Sequence, residues 1–371
     1  MSRLSACFLL SRFEAGGLER VQMHIAAGLV QVGIQTELVT RKVDLQAHVL
    51  LRPDVPVHAF ASSRIGFMYR LSSWLRKTEP HVIVTSANDI GCFVLLLRRL
   101  FWRRSRIIWT QHLSLSGPLH ASKGAKRMRL LFELWLMRRL VKHADMVVAV
   151  SRSVADDMKR LLAQNLPVRV IFNPVIGEDF EQQSLEVIEW PWGDSAVPTV
   201  VFVGRLAQVK RLDLLLQAFA QCFEIMPVRL LVVGDGPEAK MAADLSAELC
   251  LGDACKFVGY RENPLPWIRN ADVLVLCSDS EGFGLVLVEA MACGTQVVAT
   301  DCPDGPAEVL VEGRYGRLVS MGDADALAAA IQASLRFPFV EVGDLKERAA
   351  EFSVERAVAQ YVELLKTMLR L

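Results

Sequence analysis

The sequence has no apolar run of the length that crosses a membrane. A helix that spans a bilayer needs roughly 18 or more consecutive apolar residues, whereas apolar runs such as residues 93–97 and 273–277 have the length of a strand or a helix face. The apolar stretch near the start of the sequence is also too short for the hydrophobic region of a signal peptide. We therefore expect residues 5–10 to form a buried strand and the protein to be cytoplasmic.

The chain also lacks the cysteine spacings of a zinc site or a disulfide framework. Its eight cysteines include no CxxC pair and no Cys/His combination with zinc-binding spacing. Most of them stand in apolar stretches, where a reduced cysteine packs as a small hydrophobic residue. We expect free thiols in a reducing compartment.

Acidic residues are scarce in the first half of the chain. Residues 1–175 contain 26 Lys and Arg against 11 Asp and Glu, and residues 176–371 contain 16 against 30, so charges of +15 and −14 underlie a net charge of +1. In the segments 98–104 and 123–142, basic residues alternate with large apolar ones. This pattern is typical of a surface that contacts an anionic membrane, and it also fits a solvated helix whose apolar side belongs to the core. Nucleic acid is not an expected partner, because no recognition motif accompanies the charge.

The composition and the apolar pattern indicate a globular α/β protein. The chain is 52% hydrophobic and 22% charged, which excludes disorder, and its 371 residues favour two domains over one. Short apolar runs typical of buried parallel strands alternate with helical segments, and this alternation predicts parallel sheets with helices on both faces. The predicted strands are residues 5–10, 35–39, 81–85, 106–110, 146–150 and 168–171, then 199–203, 229–233, 256–258, 273–277 and 296–300.

The two series of strands predict two Rossmann-like domains that face each other across a cleft. The expected parts are an N-terminal domain over residues 1–175, an irregular acidic linker over 176–198, a C-terminal domain over 199–352, and a C-terminal helix over 353–371 that packs back on the N-terminal domain. Helices are predicted at residues 18–32, 211–223, 284–293 and 326–335. Ligands of such folds bind at the carboxyl ends of the strands, which places the expected site at the cleft.

One candidate ligand-binding loop follows the first strand of the second series. After Val203 the chain turns at Gly204, and Arg205 and Lys210 precede an apolar helix. The planar guanidinium of Arg205 and the point charge of Lys210 both suit diphosphate oxygens. The N-terminus of the helix adds positive potential. A surface loop with solvated cations would show the same pattern.

A second candidate is the loop and helix after residues 273–277. The segment Glu281-Gly282-Phe283-Gly284-Leu285 opens an apolar helix that carries Glu289, and its backbone N–H groups would be free to meet an anion or hydroxyl groups. An all-helical interval would separate Glu281 from Glu289 by about 12 Å. That separation is too long for two carboxylates that share a proton, but it suits the two ends of a long ligand. Helix capping by Glu281 and a local salt bridge of Glu289 are the alternatives.

Two weaker candidates lie in the first half of the chain. Gly16 and Gly17 stand between the first strand and the first helix, where a glycine turn lets a phosphate approach but also serves as a plain tight turn. His112 follows a predicted strand, so it is expected at the carboxyl edge of the sheet. A lone histidine at such a position is either structural or catalytic, and both roles fit the residues.

Two further motifs have a structural explanation. Residues 234–239 fit the G-x-G-x-x-A fingerprint of dinucleotide sites, but they follow the second strand of their domain, and Pro237 suits the first position of a helix. Asp323 and Asp325 form an Asp-x-Asp pair, a pattern that holds metal ions in other enzymes. Because the pair directly precedes a helix, capping explains it better.

Taken together, these segments resemble glycosyltransferase family 4, the group 1 glycosyl transferases, which are retaining enzymes with the GT-B fold. The resemblance covers nearly the whole chain and is most specific in the second half. The motifs that occur there in the order of the family are residues 203–206 with Lys210, 232–237, 257–260, 280–289 and 300–308. The first half matches more loosely.

The resemblance implies roles for these residues. Glu281 would contact hydroxyl groups of the transferred sugar, Glu289 would bind the ribose of the donor, and Arg205 and Lys210 would bind the diphosphate. His112 would lie beside the sugar and the acceptor. The implied donor-binding residues are Gly16, Gly17, Arg205, Lys210, Tyr260, Gly282, Phe283, Gly284, Leu285 and Glu289, and the implied catalytic residues are Glu281 and His112.

The implied reaction is transfer of a sugar, with retained configuration, from a nucleotide diphosphate-sugar to a glycan or a lipid-linked acceptor of the cell envelope or surface. A UDP-sugar is the favoured donor, and no metal or other cofactor is expected, because the cations would stabilise the leaving diphosphate. Glu281 would position the sugar or attack it covalently, and both roles stay open. The alternatives are an epimerase or phosphorylase on the same scaffold, an NAD-binding oxidoreductase suggested by residues 234–239, and a non-catalytic partner protein.

Overall fold

The computed structural model describes residues 4–14, 16–101, 104–193 and 196–370 of the chain. The chain divides into two compact units, one formed by Met1–Val175 with Val354–Leu371 and the other by Ile176–Ser353. Each unit is built on one parallel β-sheet and has its own hydrophobic core. The predicted fold class, two parallel-sheet α/β domains, is confirmed.

The first unit contains a seven-stranded sheet in the order β3-β2-β1-β4-β5-β6-β7. All neighbouring strands are parallel, and β4 is buried at every position, as expected for a central strand with helices on both faces of the sheet. The elements are β1 (Ser5–Leu10), α1 (Gly17–Gln31), β2 (Gln35–Thr40), β3 (Val57–Ala59), α2 (Arg64–Thr78), β4 (Val82–Thr85), α3 (Asn88–Phe101), β5 (Arg106–Gln111), α4 (Ser116–Ala121), α5 (Gly124–Leu140), β6 (Met146–Ala149), α6 (Arg152–Leu161) and β7 (Val168–Val170).

The second unit contains a six-stranded parallel sheet in the order β10-β9-β8-β11-β12-β13. Its elements are α7 (Phe180–Ser184), β8 (Thr199–Val203), α8 (Leu212–Ile225), β9 (Arg229–Val233), α9 (Ala239–Glu248), β10 (Cys255–Gly259), α10 (Leu265–Arg269), β11 (Val273–Leu276), α11 (Leu285–Cys293), β12 (Gln296–Thr300), α12 (Pro306–Val309), β13 (Arg317–Val319), α13 (Ala324–Arg336) and α14 (Val342–Ala350). The last helix, α15 (Val354–Leu369), belongs to the first unit.

Helix α15 packs on α1 within the first unit. A Cβ atom on Gly28 of α1 would lie 2.3 Å from a methyl carbon of Val358, so the glycine permits a close approach of the two helices. Arg169 of β7 donates to Glu363 of α15 at 2.8 Å. The end of the chain is therefore held by contacts with both a helix and a strand of this unit.

The sequence patterns missed two strands, β3 and β13. Each has three residues and is only partly buried, so neither leaves a continuous apolar run in the sequence. Helix α13 begins two residues earlier than predicted, and Asp323 caps it by accepting a hydrogen bond from Ala326 N at 2.8 Å. The capping explanation of Asp323 is thus confirmed. No helix in the described part of the chain has the length and apolar composition of a membrane span.

The acidic segment predicted as a linker is attached to the second unit. The Trp190 ring stacks on Trp267 with the ring centroids 6.0 Å apart. Trp192 Nε1 donates to the carbonyl of Asp253 at 2.8 Å, and the Arg229 guanidinium lies 5.1 Å from the centre of the Trp192 ring. Residues 194 and 195 of this segment lie outside the described residues. Most of the segment thus packs as part of the second unit.

The cysteines are free thiols, and seven of the eight are buried. Burial raises the pKa of Cys92 to about 12 and that of Cys222 to about 11, so these thiols stay protonated. The prediction that they pack as small hydrophobic residues is confirmed for these seven. Cys250 is the exception, because it is exposed.

Candidate active site

The carboxyl edge of the second sheet carries both loops that the sequence singled out. Strands β8 and β11 are neighbours, and the strand order reverses between them. In open α/β sheets, connections that leave in opposite directions at such a point form a crevice where ligands bind. The loop with Arg205 follows β8, and the loop with Glu281 follows β11. Both predicted motifs therefore lie at the reversal point.

Glu281 and Lys210 form an ion pair at this edge. Lys210 Nζ donates to Glu281 Oε1, and Ser278 Oγ donates to the same oxygen at 2.6 Å. The exposed fraction of the side chain is 24% for Lys210 and 11% for Glu281, so the pair is partly shielded from water. The prediction assigned these residues to different parts of a ligand, whereas the structure brings them into direct contact. A diphosphate bound here would share Lys210 with Glu281.

Arg211 and Cys277 hold the loop that carries Lys210. Arg211 has a left-handed backbone (φ 49°) at the start of α8, and its guanidinium donates to Asp213 at 3.0 Å and to Asp279 at 3.1 Å. The hydrogen bond with Asp213 raises the pKa of Arg211 above its usual value. Burial raises the pKa of the Cys277 thiol to about 12, and the thiol donates to the carbonyl of Lys210 at 3.1 Å. These contacts tie the β8 loop to the β11 loop.

Arg205 differs from Lys210 in being an exposed cation. It directly follows Gly204 at the end of β8, and its side chain is exposed. Within the described ranges its guanidinium forms no hydrogen bond and no ion pair. An exposed guanidinium keeps its planar set of donors available to a phosphate. Of the two cations predicted to bind a diphosphate, Arg205 is therefore the one without a competing carboxylate.

The start of α11 presents backbone donors, but Glu281 does not cap this helix. The helix begins at Leu285, and its N-cap is Gly284 (φ 83°), which supplies no side chain. The capping alternative for Glu281 is therefore wrong. In the part of the chain that the structure describes, the N–H groups of Gly282, Gly284 and Leu285 donate to no backbone carbonyl. These groups and the positive end of the helix dipole favour an anion.

The ring of Phe283 packs in the protein interior and does not face a ligand. Its side chain is 3% exposed and meets the ring of Phe352 edge-on at 5.4 Å. A Cβ atom on Gly305 would lie 2.8 Å from the backbone of Phe283, so a glycine is required at that contact. Phe283 was predicted to bind the donor, and the structure leaves only its backbone for that role.

Tyr260, Arg205 and Glu281 follow one another along the sheet edge. They come after β10, β8 and β11, in a sheet ordered β10-β9-β8-β11, and Tyr260 is 43% exposed. Such a row suits an elongated ligand. Glu289 is buried within α11, at 6% exposure. Because α11 starts only at Leu285, the interval between Glu281 and Glu289 is not wholly helical, and the helical rise of the sequence argument does not apply to it.

Residues 234–239 hold the Arg205 loop in place. Leu206 N donates to the carbonyl of Asp235 at 2.9 Å, and Glu238 N donates to the carbonyl of Leu206 at 3.0 Å. A Cβ atom on Gly236 would lie 2.3 Å from the Leu206 carbonyl oxygen, so the contact requires glycine. Pro237 lies in the turn before the N-cap of α9, Glu238, and the prediction that it starts the helix is wrong. Close packing of two backbone segments thus accounts for Gly236.

We expect Gly236→Ala to displace the Arg205 loop. The added methyl group would overlap the Leu206 carbonyl, and relieving such overpacking costs about 1–3 kcal/mol. The control is Gly343→Ala, because a Cβ atom at Gly343 in α14 meets no atom within 4 Å. Thermal unfolding should show a lower melting temperature for Gly236→Ala alone. Equal behaviour of the two variants would contradict the packing argument.

In the first unit, Gly16 and Gly17 also lie where the strand order reverses. They follow β1, which neighbours β4 at the reversal, and Gly16 is the N-cap of α1. A Cβ atom on Gly16 would lie 2.6 Å from Glu19 Oε2, so the Glu19 carboxyl group covers the turn. Burial raises the pKa of Glu19 to about 7. Protonation of Glu19 would remove a negative charge from the turn and so lower the repulsion of a phosphate that approaches it.

His112 follows β5 and contacts two buried polar side chains. His112 Nε2 lies 2.9 Å from Gln22 Nε2 of α1, and the Asn173 side chain also hydrogen-bonds the imidazole. Burial lowers the pKa of His112 to about 4, against the opposing effect of Asn173, so the ring is neutral at pH 7. The sequence argument did not identify Gln22. The sequence feature that could have identified it is its position: Gln22 is a polar residue on the buried face of α1, one turn before Ala26 and two turns before Leu29.

Two family models match the chain, one on each side of the acidic segment. The model described as Glycosyltransferase Family 4 matches residues 15–176, and the model described as Glycosyl transferases group 1 matches residues 197–336. The two matches fall on the first and the second unit. They therefore cover most of both parallel-sheet domains.

Curated relatives are similar to this chain over much of its length. N-acetyl-alpha-D-glucosaminyl L-malate synthase of Bacillus anthracis is 30% identical over 63% of this chain, and the match spans 63% of the length of that enzyme. D-inositol 3-phosphate glycosyltransferase 2 of Catenulispora acidiphila is 29% identical over 91% of this chain and 86% of its own. Lipopolysaccharide 1,6-galactosyltransferase of Escherichia coli is 26% identical over 71% of this chain and 70% of its own.

Solved structures share the fold. Sucrose-phosphate synthase from Thermosynechococcus elongatus has a TM-score of 0.83 at 24% identity, covering 99% of this chain and 100% of that chain. Anabaena HepE in complex with UDP-glucose has a TM-score of 0.80 at 21% identity, covering 98% of this chain and 100% of that chain. With a family model matched to each of its two units, the chain belongs to glycosyltransferase family 4 and has the GT-B fold.

Proposed function

We propose that this protein is a retaining glycosyltransferase that transfers a sugar from a nucleotide diphosphate-sugar, favoured to be a UDP-sugar, to a glycan or lipid-linked acceptor. The observation that carries the proposal is that the Lys210–Glu281 pair and the exposed Arg205 lie at one edge of the second sheet, where its strand order reverses. The HepE complexes with UDP and UDP-glucose support the choice of donor. Lipopolysaccharide enzymes of Escherichia coli and Rhizobium meliloti among the relatives support an acceptor in envelope or surface polysaccharide synthesis.

In the proposed mechanism, charge on the leaving diphosphate is stabilised by groups of the second unit. Arg205 and the N–H groups at the start of α11 would meet the phosphate oxygens as negative charge develops on them. Glu281 would accept hydrogen bonds from sugar hydroxyls while Lys210 balances its charge. The acceptor hydroxyl would attack from the face that the diphosphate leaves, and a phosphate oxygen would take its proton. The proposal includes no metal and no other cofactor.

The proposal also includes predicted residues whose roles come from the family resemblance. We propose that Tyr260 borders the base and that Glu289 binds the ribose, as the family resemblance implies. Gly16 and Gly17 would approach the phosphates, and His112 would lie beside the sugar. The exposure of Tyr260 and the position of Gly16 at the start of α1 support these assignments.

A calorimetric screen against a panel of UDP-, GDP- and dTDP-sugars, with and without EDTA, tests the donor. We expect one UDP-sugar to bind best and its affinity to be unchanged by EDTA. Release of UDP that requires an acceptor, with an α-linked product from an α-linked donor, supports retaining transfer. Acceptor-independent turnover would favour the epimerase or phosphorylase, and stabilisation by NADH but not by UDP would favour the oxidoreductase. No binding of any sugar nucleotide would leave the non-catalytic alternative.

We also propose that the first unit contacts the inner face of an anionic membrane through α5. Four residues at helical spacing on its outer side are exposed: Met128 (67%), Leu131 (41%), Phe132 (64%) and Trp135 (51%). Leu134, Met137 and Leu140, on the opposite side of the helix, are buried in the core. Core packing therefore explains one apolar side of α5 and leaves the outer stripe unexplained. An exposed apolar stripe of this kind is typical of helices that lie in a membrane interface.

The charges around the stripe complement an anionic lipid surface. Residues 123–142 contain seven Lys and Arg and one acidic residue, Glu133. Their basic residues are exposed, and the Arg139 guanidinium lies 5.3 Å from the centre of the Trp135 ring. Arg98 of the other predicted basic segment pairs with Asp145 at 2.6 Å, so it is less available to lipid. Residues 102 and 103 and the side chains of 99–101 lie outside the described part of the chain.

We expect the double variant Phe132→Ser/Trp135→Ser to bind anionic liposomes at least tenfold more weakly than the unmodified protein. The two side chains supply much of the exposed apolar area of the stripe, and each buried aromatic contributes on the order of 1–2 kcal/mol. Flotation with phosphatidylglycerol vesicles at low and high salt measures the change. Phe337→Ser, at a 75% exposed apolar position of the second unit, is the control. Equal flotation of all three proteins, or none at low salt, would remove α5 as a membrane contact.

A further inference from the structure

Gln22 is a fully buried amide that contacts the candidate histidine. It lies in the second turn of α1 with no exposed surface, and its Nε2 is 2.9 Å from His112 Nε2. Its other amide atom, Oε1, is buried and has no hydrogen-bond partner among the described residues. A buried amide that satisfies only one of its groups has an energetic cost. In the described structure, the contact with His112 is the hydrogen bond that the Gln22 amide forms.

With its amide nitrogen toward His112, Gln22 favours one protonation state of the ring. An amide nitrogen only donates hydrogen bonds, so the imidazole nitrogen that faces it must accept. A neutral histidine has one acceptor nitrogen, and if Nε2 accepts, the proton resides on Nδ1. A doubly protonated ring would place two donors against each other at this distance. The arrangement thus favours one tautomer and disfavours the charged ring.

We propose that Gln22 is a positioning residue that holds His112 as the neutral Nδ1–H tautomer, so that His112 serves the site as an oriented hydrogen-bonding group and not as a proton carrier. The proposal deepens the proposed function and rests on it for the consequence for sugar transfer. The low pKa of His112 agrees with this arrangement. The charged or titratable residues of α1 within one turn of Gln22 are Glu19, Arg20 and His24, and the neutral Asn173 contacts the ring from the segment after β7.

Long-range ¹H–¹⁵N spectra of the imidazole groups test the tautomer in the substrate-free protein. The signals of His112 are assigned by their loss in His112→Gln. Between pH 5.5 and 8 we expect an unprotonated Nε2, a protonated Nδ1 and no titration. Gln22→Met, which keeps the volume but removes the donor, should give a mixture of tautomers. Gln31→Met, at the exposed end of the same helix, is the control and should leave the spectrum unchanged.

A third variant reverses the polarity of the contact. Gln22→Glu places a carboxylate opposite Nε2, and we expect it to raise the proton affinity of His112 at least 100-fold, because an opposite charge favours the imidazolium. The ring should then titrate within the measured range. An Nε2–H signal in the unmodified protein, or a spectrum that Gln22→Met does not change, would overturn the proposal.

Kinetics separate this proposal from the proposed function. With the donor and acceptor identified by the screen, Gln22→Met should lower kcat about tenfold while the calorimetric affinity for the donor stays within twofold. Gln22→Glu should add an acidic limb to the pH profile of kcat that the unmodified enzyme lacks. A changed tautomer without any effect on kcat would show that His112 is structural. The spectra require no substrate, so a failure of the donor screen does not alter the test of the tautomer.

Discussion

Glu281→Gln is expected to lower sugar transfer by a factor of about 100–1000 while the protein stays folded. The substitution keeps the shape of the side chain, but it removes the charge that accepts from Lys210 and Ser278. Lys210 would lose its partner and move toward the diphosphate, and the sugar would lose an acceptor held in place before it binds. Loss of one preorganised electrostatic contact costs about this much in other enzymes.

The Glu281 prediction is checked by initial rates of acceptor-dependent UDP release and by circular dichroism of the purified variant. Glu224→Gln, at an exposed position near the end of α8, is the matched control and should retain full activity. Lys210→Met and the double variant complete a mutant cycle. Because Lys210 and Glu281 act as a pair, the loss in the double variant should be smaller than the product of the single losses. Full activity of Glu281→Gln would remove it from the site.

The fold could be predicted from the sequence because most of its strands contain short apolar runs. Strand β11 is buried at all four positions and appears in the sequence as an unbroken hydrophobic segment. Strand β12 is buried at all five positions, and its apolar residues 297–299 stand between Gln296 and Thr300. The glycines and the polar loops after these strands then mark the carboxyl edge. Strands β3 and β13 lack this signal, because their pairing is fixed by neighbouring strands and not by their own composition.

The partners of the site residues could not be predicted from spacing. Lys210 and Glu281 meet only because β8 and β11 are neighbours, and that order is a property of the sheet. The order of the strands in the sheet also determines that Lys210 is paired, whereas Arg205 is exposed. Gln22 and His112 likewise come from α1 and the end of β5. The sequence supplied the residue types, and the contacts depend on the tertiary packing of distant segments.

A glycine motif is ambiguous in sequence, because glycine is needed both where a ligand approaches the backbone and where another backbone segment does. Gly236 matches a dinucleotide fingerprint, yet its Cβ atom would collide with the carbonyl of Leu206 and not with a ligand. Gly305 is required in the same way by the backbone of Phe283. In both places the glycine lets one loop of the edge support another, and the supported loops carry Arg205 and the start of α11.

Arg205→Ala is expected to weaken binding of UDP about tenfold to 100-fold and to lower transfer by a larger factor. A charge-assisted hydrogen bond contributes about 1.5–3 kcal/mol, and the contribution to transfer grows as the diphosphate gains charge on leaving. Arg205→Lys keeps the charge but loses the planar pair of donors, so its affinity should lie between those of the other two proteins.

Calorimetry with UDP and with uridine measures the effect of Arg205→Ala, and only the affinity for UDP should be affected. The control is Arg336→Ala, at an exposed position that ends α13. Because the guanidinium of Arg205 contacts no carboxylate in the described structure, its loss exposes no unpaired partner, and the change in affinity reports its interaction with phosphate directly. An affinity for UDP within twofold of the unmodified protein would place the diphosphate away from β8.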